Sequence, residues 1–284
     1  MSKENISSAE MTAYWRSLFP QFSKDNLSIR LASPEGINKA HEFEKRFSYP
    51  LVGRKVSVRA GFMLETAINT LRSGKYDSCI SIASGFSMLA YIIALETSSE
   101  FPHIKFIDLD LPYIIEERKK RIKELPGALF VSNLLDKVKL ITEDLELAAK
   151  KNKKFKDLFP LCEKPVFIIE GLIYFLSNEC VDWLTKEILS YKNTAVLFDY
   201  WPDDGIERSI CFKKAIDALK GFIPENVKSF WSKGNVTTFS KHFLIAKNYE
   251  LKIVENEASI KANEEPLFTN ENEFFPVRFF VGSK

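Results

Sequence analysis

Hydrophobic positions along the chain follow two patterns that indicate different secondary structures. Short runs that are apolar throughout recur at 78–83, 104–109, 137–141, 165–170 and 194–200. Between these runs, apolar residues recur at spacings of three and four, which is typical of amphipathic helices. Strands without polar alternation, separated by helices, indicate a parallel sheet that is covered on both faces. The sequence therefore predicts an open α/β fold.

The residues before the first strand are expected to be helical. Residues 1–52 are interpreted as an N-terminal helical cap, in which Ser8 has the character of a helix N-cap residue. Residues 53–73 have apolar positions at helical spacing and predict one long amphipathic helix. Neither an internal repeat nor a low-complexity linker interrupts the pattern, so residues 1–284 are predicted to form a single domain.

The rhythm of strands and helices breaks after the fifth strand. Residues 202–248 predict a mostly helical insertion, which we interpret as a lid or substrate-pocket segment. The tail then favours two further strands, within 251–258 and 276–284, separated by a polar, acidic loop at 261–274. This arrangement suits an antiparallel edge of the sheet.

Carboxylates stand at or just beyond the ends of the predicted strands. Asp110, Glu170 and Asp199 have such positions, and Asp144 follows another strand shortly. Open α/β sheets bind ligands at the carboxyl ends of their strands, where a carboxylate can accept hydrogen bonds from both hydroxyls of a ribose. The order strand, tight turn at Ser84-Gly85, helix, strand and acid therefore predicts a site for a nucleoside-bearing cofactor.

Composition and charge narrow the choice of partner. Hydrophobic residues make up 45% of the chain, enough for a sizeable core, and the formal net charge is only +2. A near-neutral balance argues against a dedicated nucleic-acid surface. The basic runs Arg118–Arg121 and Lys150–Lys154 are accordingly interpreted as a solvated helix face and a loop.

Several further features are predicted to be absent. The N-terminus has no apolar signal region and no stretch reaches membrane-spanning length, which predicts a cytoplasmic protein without a membrane partner. The four cysteines lack CxxC spacing and are expected to be free thiols. The three histidines lack the spacing of zinc ligands, so no metal site is expected.

Four short stretches carry a resemblance to a known family. They are R-K-V-S-V-R ending at Arg59, I-A-S-G-F-S-M-L-A-Y at 82–91, D-L-D-L-P at 108–112 and E-G-L-I-Y-F-L at 170–176. In these stretches the chain resembles the leucine carboxyl methyltransferase family, which includes bacterial small-molecule O-methyltransferases. The resemblance implies a class I methyltransferase fold, Rossmann-like, with a seven-stranded, mostly parallel sheet whose last strand is antiparallel. It also implies S-adenosylmethionine as the cofactor, S-adenosylhomocysteine as the product, and no metal.

The same resemblance assigns roles to particular residues. Arg59 is expected to bind the carboxylate of the cofactor, and Asp110 its ribose hydroxyls, a role for which Asp108 is the alternative. Asp144 and Leu145 are the expected adenine contacts, while Glu170 is expected to face the methionine or sulfonium region. The full set of cofactor-binding candidates is Arg59, Ala83, Ser84, Gly85, Asp110, Leu111, Asp144, Leu145 and Glu170.

The chain departs from the family pattern in the glycine loop. Ala83 stands where the family has its first glycine, and Ser87-Met88-Leu89 replace the family's Asp-Thr-Arg. A catalytically silent methyltransferase fold that binds S-adenosylmethionine or a protein partner is therefore a second hypothesis. Methylation of a protein's C-terminal leucine and a nicotinamide-dependent dehydrogenase are weaker alternatives; the dehydrogenase lacks the G-x-G-x-x-G pattern.

The acceptor is expected to be a small molecule methylated on a carboxyl or hydroxyl oxygen. A carboxylate is already ionised near neutral pH, whereas a hydroxyl acceptor benefits from a general base. Neither the catalytic residues nor the oligomeric state follow from the sequence. The substrate-pocket candidates are Tyr174, Tyr200, Trp201, Trp231 and His242, each of which has a core or surface role as its alternative.

Overall fold

A computed structural model of the chain describes residues 3–46, 51–125, 136–204, 209–219, 228–254, 257–263 and 276–284. The described residues form one eight-stranded sheet. Its strands are β1 Ser78–Ile82, β2 Lys105–Asp110, β3 Val138–Thr142, β4 Pro165–Ile169, β5 Ala195–Tyr200, β6 Ile245–Val254, β7 Glu257–Asn263 and β8 Arg278–Ser283.

The strand order is β3-β2-β1-β4-β5-β8-β6-β7. Strands β1 to β5 pair in parallel, as their mostly apolar sequences predict. The last strand, β8, lies antiparallel between β5 and β6, which confirms the expected antiparallel last strand. The hairpin of β6 and β7 adds one further strand at the edge of the sheet.

Helices connect the strands and cover the sheet. Their bounds are α1 Lys3–Leu18, α2 Pro20–Ser23, α3 Pro34–Arg46, α4 Leu51–Arg72, α5 Leu89–Thr97, α6 Pro112–Lys123, α7 Leu145–Lys150, α8 Phe155–Leu158, α9 Asn178–Leu189, α10 Ile210–Leu219 and α11 Lys233–Ser240. Short 3₁₀ helices lie at Ser28–Leu31 and Ile173–Phe175. Side-chain caps fix the starts of α9 and α11, because Ser177 accepts the Cys180 N–H and Ser232 accepts the Asn235 N–H.

Three expectations differ from the structure. Ser8, expected to cap a helix, lies inside α1, which already includes Lys3. Residues 257–263 form β7, although 261–263 were expected to begin an acidic loop; the remainder of that loop, 264–275, lies outside the described residues. In the expected helical insertion, α10 and α11 are found, but β6 already begins at Ile245. Edge pairing through the backbone alone lets the polar sequence of β7 form a strand.

The core is divided between the two faces of the sheet. Successive residues of a strand point to opposite faces, so Cys79 packs with one buried cluster while Ile80 packs with the other. A third cluster joins the N-terminal cap to the sheet and includes Trp15 and Trp201. Each fully buried aliphatic or phenylalanine side chain stabilises the fold by about 1.5–3 kcal/mol.

The N-terminal cap is fixed to the rest of the chain at several points. Arg121 of α6 contacts both the Glu10 carboxylate and the Leu31 carbonyl oxygen. Gly61 of α4 permits a close backbone approach, since a Cβ there would lie only 2.0 Å from the Phe22 carbonyl oxygen. The cap is therefore packed against α4 and α6.

The buried carboxyl group of Glu44 makes stability dependent on pH. Its Oε1 accepts the Gly53 N–H at the start of α4, and burial raises the pKa of Glu44 to about 7. Because the folded-state pKa is raised, ionisation disfavours folding as the pH rises from about 4.5 through 7. We expect Glu44→Gln to raise the free energy of unfolding by on the order of 1 kcal/mol at pH 8 and to change little at pH 4.

Urea denaturation at both pH values measures this effect. Glu65→Gln is the matched control, because Glu65 is exposed and pairs with Lys24 in solvent. A Glu44→Gln protein that is less stable than the wild type at pH 8 contradicts the assignment.

Candidate active site

A cavity of about 250 Å³ opens at the carboxyl ends of β1, β2 and β4. Its floor includes the turn after β1, Asp110 and Leu111 after β2, and Glu170 after β4. One face of α1 and the first turns of α4 form the other wall. The cap and α4 contribute Ser8, Ala9, Thr12, Trp15, Arg16, Phe43, Val52, Lys55, Val56 and Arg59.

The turn after β1 has an unusual backbone. Ala83 and Gly85 both have positive φ, +54° and +57°, and the next helix, α5, begins only at Leu89. Hydrogen bonds hold the turn on β2: the Ala83 N–H donates to the Leu109 carbonyl at 2.7 Å, and the Gly85 N–H donates to Asp110 Oδ2 at 2.6 Å. The turn is therefore fixed to the strand that carries Asp110.

Ala83 tolerates this conformation at a cost. A left-handed conformation costs a residue that has a Cβ about 1–2 kcal/mol. Glycine avoids this cost, but it loses more chain entropy on folding, which cancels part of the gain. We expect Ala83→Gly to raise the free energy of unfolding by about 0.5–1 kcal/mol, measured by chemical denaturation. Ala90→Gly, inside α5, is the control and should lower it by about 1 kcal/mol. Destabilisation by Ala83→Gly contradicts the strain.

Asp110 lines the cavity with its carboxylate partly engaged. Oδ2 accepts the Gly85 N–H, and Oδ1 accepts the Leu111 N–H at 2.7 Å. Burial raises the pKa of Asp110 to about 6, against the lowering effect of these hydrogen bonds and of Arg118. The group is thus ionised at neutral pH, and each oxygen retains a lone pair for a further donor.

Arg59 lies at the centre of a buried charged network. Its Nε donates to Glu170 Oε1 at 3.0 Å, and its Nη1 donates to the Tyr174 hydroxyl at 3.1 Å and to Asp199 Oδ2 at 3.3 Å. Asp199 in turn accepts the Gly171 N–H at 2.6 Å. The structure thus brings together Arg59, Glu170 and Asp199, three residues that the sequence had singled out.

The pKa values of the two acids in this network, Glu170 and Asp199, are shifted in opposite directions. Burial would raise the pKa of Glu170, but Arg16 and Arg59 together hold it below its ordinary value. Burial raises the pKa of Asp199, against the opposing effect of Arg59. Glu170 therefore remains an anion within the cavity.

Two arginines in and beneath this site escaped the sequence analysis. Arg16 of α1 donates to Glu170 and to Asp25, which anchors the cap to the tip of β4. Arg118, expected on a solvated face, is fully buried and lies within 2.9 Å of Asp108. The expectation for Arg118 is wrong because its side chain reaches under the turn after β1 instead of outward. No spacing signal in the sequence identifies either contact.

The substrate-pocket candidates separate into two groups. Tyr174 and Trp201 line the cavity, with their rings stacked at 3.9 Å between centroids and 3° between planes. Tyr200 and Trp231 are buried in the core cluster on one face of the sheet, away from the lining. His242 is exposed in the turn after α11.

The expected adenine contacts lie beyond the cavity lining. Asp144 Oδ1 accepts the Leu147 N–H at 3.1 Å and caps α7. Leu145 is buried among the core residues of the same face. Both residues nevertheless stand at the carboxyl end of β3, next to β2 in the sheet.

Metal-binding clusters and membrane-spanning helices are not found among the described residues. Across the residues that it describes, no group of three or more His, Cys, Asp or Glu side chains is arranged to hold a metal ion. Within the same ranges, no helix combines the length and apolar character that crossing a bilayer requires. The four cysteines are free thiols.

Solved structures with a similar fold are methyltransferases. A putative methyltransferase from Thermobifida fusca shares 12% identity, with 90% of this chain and 92% of that chain covered and a TM-score of 0.57. A magnesium protoporphyrin IX methyltransferase from Synechocystis, with bound S-adenosylhomocysteine, shares 9% identity over 88% and 95% of the two chains, at a TM-score of 0.48. Identities this low show the fold alone, and at a TM-score above 0.5 the Thermobifida fusca structure supports a class I methyltransferase fold.

The family is shown by sequence. The family model described as leucine carboxyl methyltransferase matches residues 6–189, more than half of the chain and all four stretches that carry the resemblance. The chain belongs to the leucine carboxyl methyltransferase family. Family and fold together support methyl transfer that depends on S-adenosylmethionine. No curated protein sequence matches the chain.

Proposed function

We propose that this protein methylates a carboxyl or hydroxyl oxygen of a small metabolite. The observation that carries the proposal is that one cavity joins Arg59, Asp110 and Glu170 to an apolar, aromatic end. Charged groups that suit an amino-acid-bearing nucleoside thus share a space with a surface that suits an apolar acceptor.

The residues present fit S-adenosylmethionine. A Cβ on Gly171 would lie 3.1 Å from Arg59 Nη2, so the glycine keeps that side of the guanidinium uncovered. The lone pairs left on Asp110 suit two hydroxyl donors, and the anionic Glu170 suits an ammonium or sulfonium group. When bound, this cofactor supplies a methyl group that an oxygen nucleophile accepts by in-line displacement.

The chain's own groups divide the binding task. Arg59 would bind a carboxylate through Nη2, since its Nε and Nη1 already donate to Glu170, Tyr174 and Asp199. Asp110 and Leu111 would bind and cover a ribose, and the backbone of 83–85 would line the methionine end. Asp144 and Leu145 would contact the adenine at the end of β3.

The acceptor end offers apolar contact rather than acid–base chemistry. Trp15, Phe43 and Trp201 line it, and these rings orient a small apolar acceptor and exclude water. Burial raises the pKa of Tyr174 above its ordinary value, so its hydroxyl is protonated at neutral pH and is a poor general base. An apolar acceptor whose single reacting oxygen is already ionised therefore needs no general base at this end.

One observation favours a second function. Ala83 has positive φ at the position of the family's glycine, and the loop lacks the family's charged residues. A protein that binds the cofactor without transferring its methyl group would have this character. Binding without turnover on any acceptor supports this alternative.

Cofactor binding is the first test of the proposal. Calorimetry with S-adenosylmethionine and S-adenosylhomocysteine should show binding by folded wild-type protein, and mass spectrometry should detect ligand that copurifies.

Methyl transfer is the second test. Labelled-methyl transfer should be measured on shape-matched pairs of carboxylic acids and phenols. Mild alkali hydrolyses methyl esters and leaves aryl methyl ethers intact, so it identifies the acceptor oxygen. Absence of cofactor binding at millimolar ligand contradicts the proposal.

A further inference from the structure

Arg118 makes contacts that an ordinary helix residue does not need. Its side chain is fully buried, and its Nη1 donates to the Ser84 hydroxyl and, at 3.0 Å, to the Gly85 carbonyl oxygen. Its Nη2 lies 2.9 Å from Oδ2 of Asp108, which is also fully buried. Arg118 therefore joins α6, the core of β2 and the turn after β1.

A buried guanidinium is expensive unless an acid neutralises it. The effective penalty is several kcal/mol per ion, and an apolar side chain would fill the same space without it. Asp108 supplies the neutralising charge here, and Arg118 opposes the effect by which burial raises the pKa of Asp108. Packing alone does not account for the pair.

The turn that Arg118 contacts is the strained one. Ala83 and Gly85 have positive φ on either side of Ser84. Asp110 accepts the Gly85 N–H, while Arg118 donates to the Gly85 carbonyl oxygen, so both polar groups of this residue are held. Strained backbone persists where the surrounding structure over-determines it.

Asp108 and Asp110 act on the turn together. Residues two apart on a strand share a face, so the two carboxylates lie in line, one at the tip of β2 and one beneath it. Asp110 reaches the turn directly, and Asp108 reaches it through Arg118. This accounts for both acids of D-L-D-L-P, of which only Asp110 lines the cavity.

We propose that Arg118, neutralised by Asp108, is a positioning residue that holds the turn 83–85 in the conformation that lines the cofactor cavity. The inference rests on the proposed cofactor site, but the positioning itself is a property of the protein without ligand. In this chain Ser87 and Leu89 stand where the family has Asp and Arg, and the guanidinium that contacts the turn comes from α6.

Two readouts on Arg118→Met test the inference. Hydrogen exchange of amides at 83–88 should accelerate at least tenfold without ligand, while amides of β4 and β5 change far less. The dissociation constant of S-adenosylhomocysteine should rise at least tenfold. Arg118→Lys, which keeps the charge but not the forked geometry, should fall between wild type and Arg118→Met on both readouts.

Arg278→Met is the matched control. Arg278, on β8, is as fully buried as Arg118, and its Nη2 lies 3.7 Å from Oε1 of the buried Glu250. Its loss should lower the unfolding midpoint and leave exchange at 83–88 and the dissociation constant within about twofold of wild type. Equal effects of Arg118→Met and Arg278→Met on these readouts, or no effect of Arg118→Met, overturn the inference.

Two outcomes keep the inference separate from the proposed function. Wild-type protein that fails to bind S-adenosylhomocysteine counts against the proposed function, and exchange at 83–88 then decides the role of Arg118. If Arg118→Met does not fold, Arg118→Lys decides both readouts: wild-type exchange and affinity overturn the inference, and selective loss supports it.

Discussion

Replacing Arg59 with methionine is expected to lower the free energy of unfolding by about 3–5 kcal/mol. The substitution leaves Glu170 and Asp199 buried without one of their cationic partners, and an uncompensated buried charge is strongly destabilising. The unfolding midpoint in urea or on heating measures the loss. Because Arg59 also lines the proposed cofactor cavity, binding of S-adenosylhomocysteine should be lost as well.

Arg72→Met is the matched control for this prediction. Arg72 lies on the same helix, α4, but pairs with Glu100 in solvent, where an ion pair contributes little, so its loss should change stability far less. A double-mutant cycle with Asp199→Asn adds a second check, since Arg59→Met should cost less when its partner is already neutral. Equal losses for Arg59→Met and Arg72→Met contradict the buried network.

Replacing Asp110 with alanine is expected to weaken binding of S-adenosylhomocysteine by about 1–3 kcal/mol, through lost hydrogen bonds to the ribose. The wild-type affinity should also depend on pH. The pKa of Asp110 is raised to about 6, so affinity should fall as the pH drops through 6 and the carboxylate is protonated. Calorimetry at pH 5 and pH 8 measures both effects.

Two variants control for general effects of pH and stability. Asp110→Asn keeps the size of the side chain and should remove the dependence on pH near 6. Asp77→Asn removes a carboxylate that accepts the N–H groups of Glu163 and Lys164. These groups lie at the amino ends of β1 and β4, away from the cavity at the carboxyl ends. Asp77→Asn should lower stability and leave affinity unchanged; an unchanged affinity in Asp110→Ala refutes the assignment.

The sheet was predictable because burial on both faces leaves a strong pattern. β1, β4 and β5 are buried at every residue, and their sequences are almost uniformly apolar. β7 has no such run, because an edge strand is held by backbone pairing that polar side chains permit. The antiparallel position of β8 followed from the family resemblance, since its sequence does not specify a neighbour.

The site could be predicted where a residue with a suitable functional group also stands at a recognisable place in the sequence, such as the end of a buried strand. Asp110 ends the buried strand β2 and precedes Pro112, which is enough to place its carboxylate at the carboxyl ends of the parallel strands. The contact between Arg16 and Glu170 spans 154 positions, and nothing local marks it. Arg118 sits in a charged run that is typical of a solvated helix, so only the folded packing shows its burial.

The split between sheet and cap has an evolutionary consequence. The groups proposed to hold the cofactor stand mainly on strand ends, whereas Ser8, Thr12, Trp15 and Phe43 come from the cap. Mutations in the cap can therefore reshape the acceptor end while the strand ends that hold the cofactor stay intact. Exchanging residues 3–46 among relatives, with Arg16 kept for its contact with Glu170, is therefore a route to new preferences at the proposed acceptor end.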